Sequence, residues 1–144
     1  MAIALNAGDH SGSQYFRSMV AVLGGLVAGA ALSVGTDALL RATGLFPLVD
    51  VPSSPLLLLG TVYRSIYMVA GSYLAARLAP HHRMEHALAL GVLGLALSLL
   101  GTVLAWGIGP AWYGRSLVVL SVPCGWVGGR LCEIRTARRP SEIG

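Results

Sequence analysis

Charge is scarce in this chain. Asp, Glu, Lys and Arg make up only 11% of 144 residues, against about 25% in soluble domains. Lysine is missing altogether, so all 10 basic residues are arginines. Compositional bias accounts for that, since Ala, Gly and Leu are abundant as well; recognition of phosphate or carboxylate by Arg is the alternative. Cysteine is limited to Cys124 and Cys132. On one helix these would lie about 12 Å apart at ~1.5 Å per residue, too far for the roughly 7 Å limit of a disulfide. They read as small packing residues. No P-loop and no dinucleotide fingerprint occurs. No histidine falls within a long apolar run: His10, His81, His82 and His86 lie outside or at an edge. That leaves no buried Ser–His dyad and disfavours a bis-His haem inside a helical bundle.

What the chain has instead is apolar length. It is 55% hydrophobic, with a mean hydropathy of +0.71. A membrane-spanning helix needs roughly 20 largely apolar residues. Four runs qualify: Ser18–Leu40, Leu56–Ala79, His86–Trp106 and Ser116–Cys132, the last extending back towards Ile108. The expected fold is all-α, a polytopic four-helix transmembrane bundle with up-down connectivity. Its spans are 18–40, 56–79, 86–106 and 112–132, within a transmembrane domain over 17–133. A cytoplasmic tail over 1–16 precedes it and a basic cytoplasmic tail over 134–144 follows. The opening residues have no basic start, and their short apolar stretch gives way to polar residues. They do not resemble a secretory signal, so the first run is read as a retained span.

Arginine sets the expected orientation. Arg17, Arg77, Arg83, Arg130, Arg135, Arg138 and Arg139 fall on the side of both termini and the middle loop. Arg41 and Arg115 fall on the other side, with Arg64 set deeper. Lys/Arg excess marks the cytoplasmic face, which predicts cytoplasmic termini in a plasma (bacterial inner) membrane and argues against dual topology. The segment RTARRP follows a span directly, so attraction to anionic headgroups explains it and no nucleic-acid partner is expected. Trp106, Trp112 and Tyr113 gather at the third loop and Tyr15 and Phe16 before the first span, as an interfacial belt would. Pro47, Pro52 and Pro55 are expected to end the first helix and restart the second.

Small residues recur at helical spacing. Ala21, Gly25, Gly29 and Ser33 step by four, and Asp37 continues the row. Ala87, Gly91, Gly94, Ser98, Gly101 and Ala105 form a second row, and Ser121, Gly125 and Gly129 a third, with Pro123 as a kink site. In lipid such rows let helix backbones approach; a glycine-lined pore is the alternative.

Two of the apolar segments each hold a charge, Asp37 in the first and Arg64 in the second. With Phe46 and Pro55 as the facing helix ends, an antiparallel hairpin puts both charges at the same depth. That depth is roughly 6 to 14 Å below the polar interface at about 1.5 Å per residue. A lone ionised Asp or Arg near mid-bilayer costs about 2.5–3.5 kcal/mol, and pairing offsets much of it. Tyr63 and Tyr67 flank Arg64 and could donate hydroxyl hydrogen bonds. Three readings follow: a structural lock between the first two helices, a charged binding or ion-coupling site, or no pair at all. In the last, Asp37 bonds Arg41 one turn on and Arg64 snorkels to the surface.

His82, Glu85 and His86 spell H-x-x-E-H, a zinc-hydrolase pattern. A third ligand is not evident among the few later acids, and no soluble domain shapes a cleft. They read as polar residues opening the third helix, where Glu85 suits the helix dipole. No cofactor, metal or catalytic residue is expected.

The stretches GTDALLRATGLFP, YRSIYMVAGSYLAARLAP and MEHALALG resemble small four-span proteins of bacterial inner membranes that have no assigned activity. The resemblance implies location and fold only. Small multidrug exporters fit less well: they carry a carboxylate near the middle of the first helix, whereas Asp37 lies late in its helix. Fluoride channels are recognised by helix asparagines and phenylalanines, and here no span contains asparagine. The expected role is a non-enzymatic bundle in the lipid bilayer, an accessory to an unknown membrane partner or a homo-oligomer. The alternative is a small transporter or channel using Asp37 and Arg64.

Overall fold

A computed structural model describes residues 7–47, 50–79 and 82–137. Among them are four α-helices: α1 (Ala7–Ala42), α2 (Ser54–Leu78), α3 (Arg83–Leu104) and α4 (Ala111–Ala137). Three are long and apolar enough to cross a membrane: α1 over Phe16–Ala42, α3 and α4. That points to a membrane protein. α2 has 25 residues, but Thr61, Tyr63, Arg64, Ser65, Tyr67 and Ser72 lower its apolarity and it falls outside that group. His81, Arg138 and Arg139 lie outside the described residues, as do the chain's first six positions.

The helix ends follow local chemistry. α1 does not run to Pro47. It stops at Gly44, whose φ of 75° suits a residue without Cβ. Gly44 N–H donates to Arg41 O and Leu45 N–H to Leu40 O, each at 3.0 Å, the paired bonds of a Schellman ending. The prolines act only on the other side of the loop, where Pro55 occupies the first turn of α2. There its missing N–H has no helical partner to lose. α3 opens at His82, which is left-handed with φ 51°.

α2 touches all three other helices, α4 packs on α2 and α3, and α1 leans mainly on α2. α1 meets α3 lightly, and among the described residues it does not meet α4. The helix that carries Arg64 is therefore the central one. Its Gly60, Thr61, Tyr63, Gly71, Ser72, Ala75 and Ala76 are buried against neighbours, while Val62 and Ile66 face outward.

Small residues make the crossings. A Cβ on Gly71 would lie 2.6 Å from the Gly25 carbonyl oxygen, and one on Gly29 3.3 Å from the Tyr67 carbonyl oxygen. Between α3 and α4, a Cβ on Gly125 would lie 2.9 Å from the Gly91 Cα. One on Gly128 would lie 2.6 Å from the Ser72 Cβ, where α4 crosses α2. Gly129 faces Met84 and Ala87, and Gly94 receives the Met68 side chain. Gly101, placed in a packing row by its spacing, makes no close approach: nothing lies within 4 Å of its Cβ position. Ala76, Ala87 and Cys132 form a compact core with Tyr73 against them. Both cysteines are buried and free.

Candidate functional site

The register between α1 and α2 decides where the charges fall. Gly25 lies opposite Gly71, and Gly29 opposite Tyr67. Continued along an antiparallel pair, that register places Asp37 opposite Leu59, so the Arg64 backbone is about 7 Å deeper at ~1.5 Å per residue. Equal depth, expected from the loop ends, is not what the helices adopt. The side chains close the gap. Cα–Cβ bonds tilt towards a helix's own N-terminus, so on antiparallel helices Asp37 leans inward and Arg64 leans out to meet it. Arg64 Nη2 donates to Asp37 Oδ2 at 2.5 Å. The Tyr63 hydroxyl donates to the other carboxylate oxygen, Oδ1.

The pair is partly enclosed, with the Asp37 side chain 17% exposed and that of Arg64 35%. Tyr67 bonds Thr36 instead, hydroxyl to hydroxyl at 2.9 Å, a second tie between α1 and α2. Arg41 is exposed and is not the partner of Asp37. From α4, Tyr113 reaches α2 at Gly60 and shares the wall of one cavity with Arg64. Gly60 makes room for it: the Tyr113 hydroxyl lies 3.6 Å, and that of Tyr63 3.9 Å, from the position a Gly60 Cβ would take. Three helices thus converge on one ion pair. Tyr113, read from the sequence as part of an interfacial belt, belongs to this cluster. Gly60 and Gly71 were legible only as two glycines among 19.

Beside the pair is a cavity of about 940 Å³, towards the upper end of the range for ligand sites. It is bounded by α1 on one side and α3 and α4 on the other, with Asp37, Arg64 and Tyr113 in its wall. Gly94 and Gly101 also line it.

The histidine motif does not converge. His82 Nδ1 lies 3.2 Å from Glu85 Oε1, while His86 Nδ1 lies 3.0 Å from the His82 carbonyl oxygen. Among the described residues no three His, Cys, Asp or Glu side chains are grouped as a metal site would require.

Comparison with known proteins finds no matching family model, no matching curated protein and no matching solved structure.

Proposed function

We propose that the chain is a four-span integral membrane protein of a bacterial inner membrane, with both termini cytoplasmic. On this reading it acts through helix packing and not through catalysis, as an accessory subunit or a self-associating bundle. The observation that carries it is the Asp37–Arg64 ion pair, completed by the Tyr63 hydroxyl. α1 buries little of its length in the bundle, so this pair and the Gly25–Gly71 crossing are what fix its register. α2 counts as the fourth span because its polar groups face neighbouring helices, where lipid does not have to solvate them.

A second reading, a small transporter or channel, draws on the cavity beside the same two residues. Intramembrane charges that face a cavity mark solute or ion paths in many membrane proteins. Reconstitution separates the two. The packing reading expects Asp37→Asn to reduce the yield of assembled protein, with no solute or ion flux through wild-type liposomes. Wild-type flux that Asp37→Asn abolishes while assembly stays intact would replace it with the transport reading.

A further inference from the structure

In the cavity beside the ion pair, charge is confined to one end. Deep in it the wall is apolar, formed by Leu26, Ala30, Met68, Leu90, Leu97 and Leu120. Hydroxyls are present there too, but Ser65 donates to the Thr61 carbonyl and Ser121 to the Leu117 carbonyl, each at 2.7 Å. Their protons are engaged within their own helices. At the loop end, among apolar residues such as Val51, Trp106 and Ile108, the wall carries all of the cavity's charges: Arg64, Arg115, Asp37 and Asp50, with Tyr113 beside them.

The length fits one leaflet. On α1 the lining runs from Gly25 to Asp37, about 18 Å at ~1.5 Å per residue, and half of a ~30 Å hydrocarbon core is about 15 Å. Confinement of charge to the loop end has the same sense as an amphiphile in the leaflet at that end, its headgroup at the mouth and its acyl chain below. The side is open as well, since α1 and α4 do not meet among the described residues.

Hydrogen-bond capacity selects the headgroup. Both oxygens of Asp37 already accept bonds, from Tyr63 and Arg64. Arg64 has five N–H donors to place. One goes to Asp37, Nε is buried without a partner, and the side chain as a whole remains about one-third exposed. The cluster therefore has donors to spare, and Arg115 offsets Asp50 at the mouth. An oxyanion supplies what is missing.

We propose that this cavity binds a single-chain amphiphile, its acyl chain along Leu26, Met68 and Leu120 and its oxyanion headgroup at Arg64, Tyr113 and Arg115. The proposal rests on the chain being embedded in a bilayer, and it is independent of whether anything is transported. A second copy of the chain is the rival occupant. Asp37 is the acid that a span of another copy would bring to that depth, and both its oxygens already accept bonds within its own chain, which disfavours that occupant.

The test uses the full chain in phosphatidylcholine nanodiscs with a palmitate analogue carrying a mid-chain diazirine. Irradiation should label Met68, Leu120 and their neighbours in the cavity wall. Unlabelled palmitate or palmitoyl lysophosphatidic acid should suppress the label, the stronger of the two identifying carboxylate or phosphate as the headgroup. Methyl palmitate should compete at least about tenfold more weakly, the loss expected with one charge-assisted contact. Ala30→Phe, which narrows the apolar part of the cavity without touching the ion pair, should reduce the label. Arg115→Gln should weaken competition by both acids. Because Ala30→Phe and Arg115→Gln leave Asp37 and Arg64 in place, folding and ligand binding are read separately. Equal competition by the methyl ester would overturn the proposal. So would label spread evenly onto outward-facing Val92 and Val119, or cavity residues cross-linked to a second copy.

Discussion

Gly25 and Gly71 cross so closely that a methyl group on either would run into the other's carbonyl oxygen. Neither atom it would strike is the flexible end of a side chain. Gly71→Ala should therefore destabilise the α1–α2 pair by about 1–3 kcal/mol, the usual cost of overpacking. Denaturation in bicelles measures it. Gly101→Ala is the control: nothing lies within 4 Å of the added methyl. It should be neutral, or stabilising by up to about 1 kcal/mol, because alanine is the better helix former.

Adjacent glycines on α4 should respond unequally. A Cβ on Gly128 meets the Val69 carbonyl oxygen at 2.7 Å and the Tyr73 nitrogen at 2.9 Å, both backbone atoms. One on Gly129 meets the Met84 sulfur at 2.7 Å, at the end of a side chain with three rotatable bonds. Gly128→Ala should lose more stability than Gly129→Ala in the same denaturation assay. Equal losses would mean that the α2–α4 crossing is looser than described.

The Tyr63 hydroxyl should matter only while Asp37 is charged and paired. Tyr63→Phe removes a hydrogen bond to a carboxylate and should cost about 1.5–3 kcal/mol. Made on an Asp37→Asn background, the same substitution should cost clearly less. Tyr67→Phe loses its bond to Thr36, a neutral pair, and should cost about 1 kcal/mol on either background.

Arg130 and Glu133 on α4 are also paired, at 3.2 Å, but their side chains are 54% and 39% exposed. Glu133→Gln should change stability by less than about 0.5 kcal/mol. The contrast with Asp37 tests whether enclosure, and not charge pairing alone, gives the α1–α2 ion pair its weight.

Much of the fold was legible because it is written in period and length. Each apolar run falls on a helix, although α1 already begins at Ala7, and Gly25, Gly29 and Asp37 of the first row do face α2. What spacing alone could not supply was register. Helix ends at Phe46 and Pro55 suggested equal depth for Asp37 and Arg64, but the glycine crossing sets a different offset, and side-chain tilt makes up the difference. Chain termination was misread for a related reason. Prolines are conspicuous in the first loop, yet Gly44 ends α1 through its backbone conformation. Tyr113 and Gly101 show the limit at the site. An aromatic near a loop reads as an interfacial anchor, and a glycine in a row reads as a contact. Only the third dimension shows that Tyr113 turns inward to α2 at Gly60 and that Gly101 faces a cavity.

The measurement that tests the central claim most directly is a double-mutant cycle on unfolding in bicelles, with Asp37→Asn, Arg64→Gln and both together. A bonded, partly enclosed pair predicts a coupling energy above about 1 kcal/mol, with the double variant closer to wild type than the two single losses added together. A coupling near zero with folding intact would contradict it. The two charges would then stand apart, and α1 would owe its position to the glycine crossing and the Thr36–Tyr67 bond.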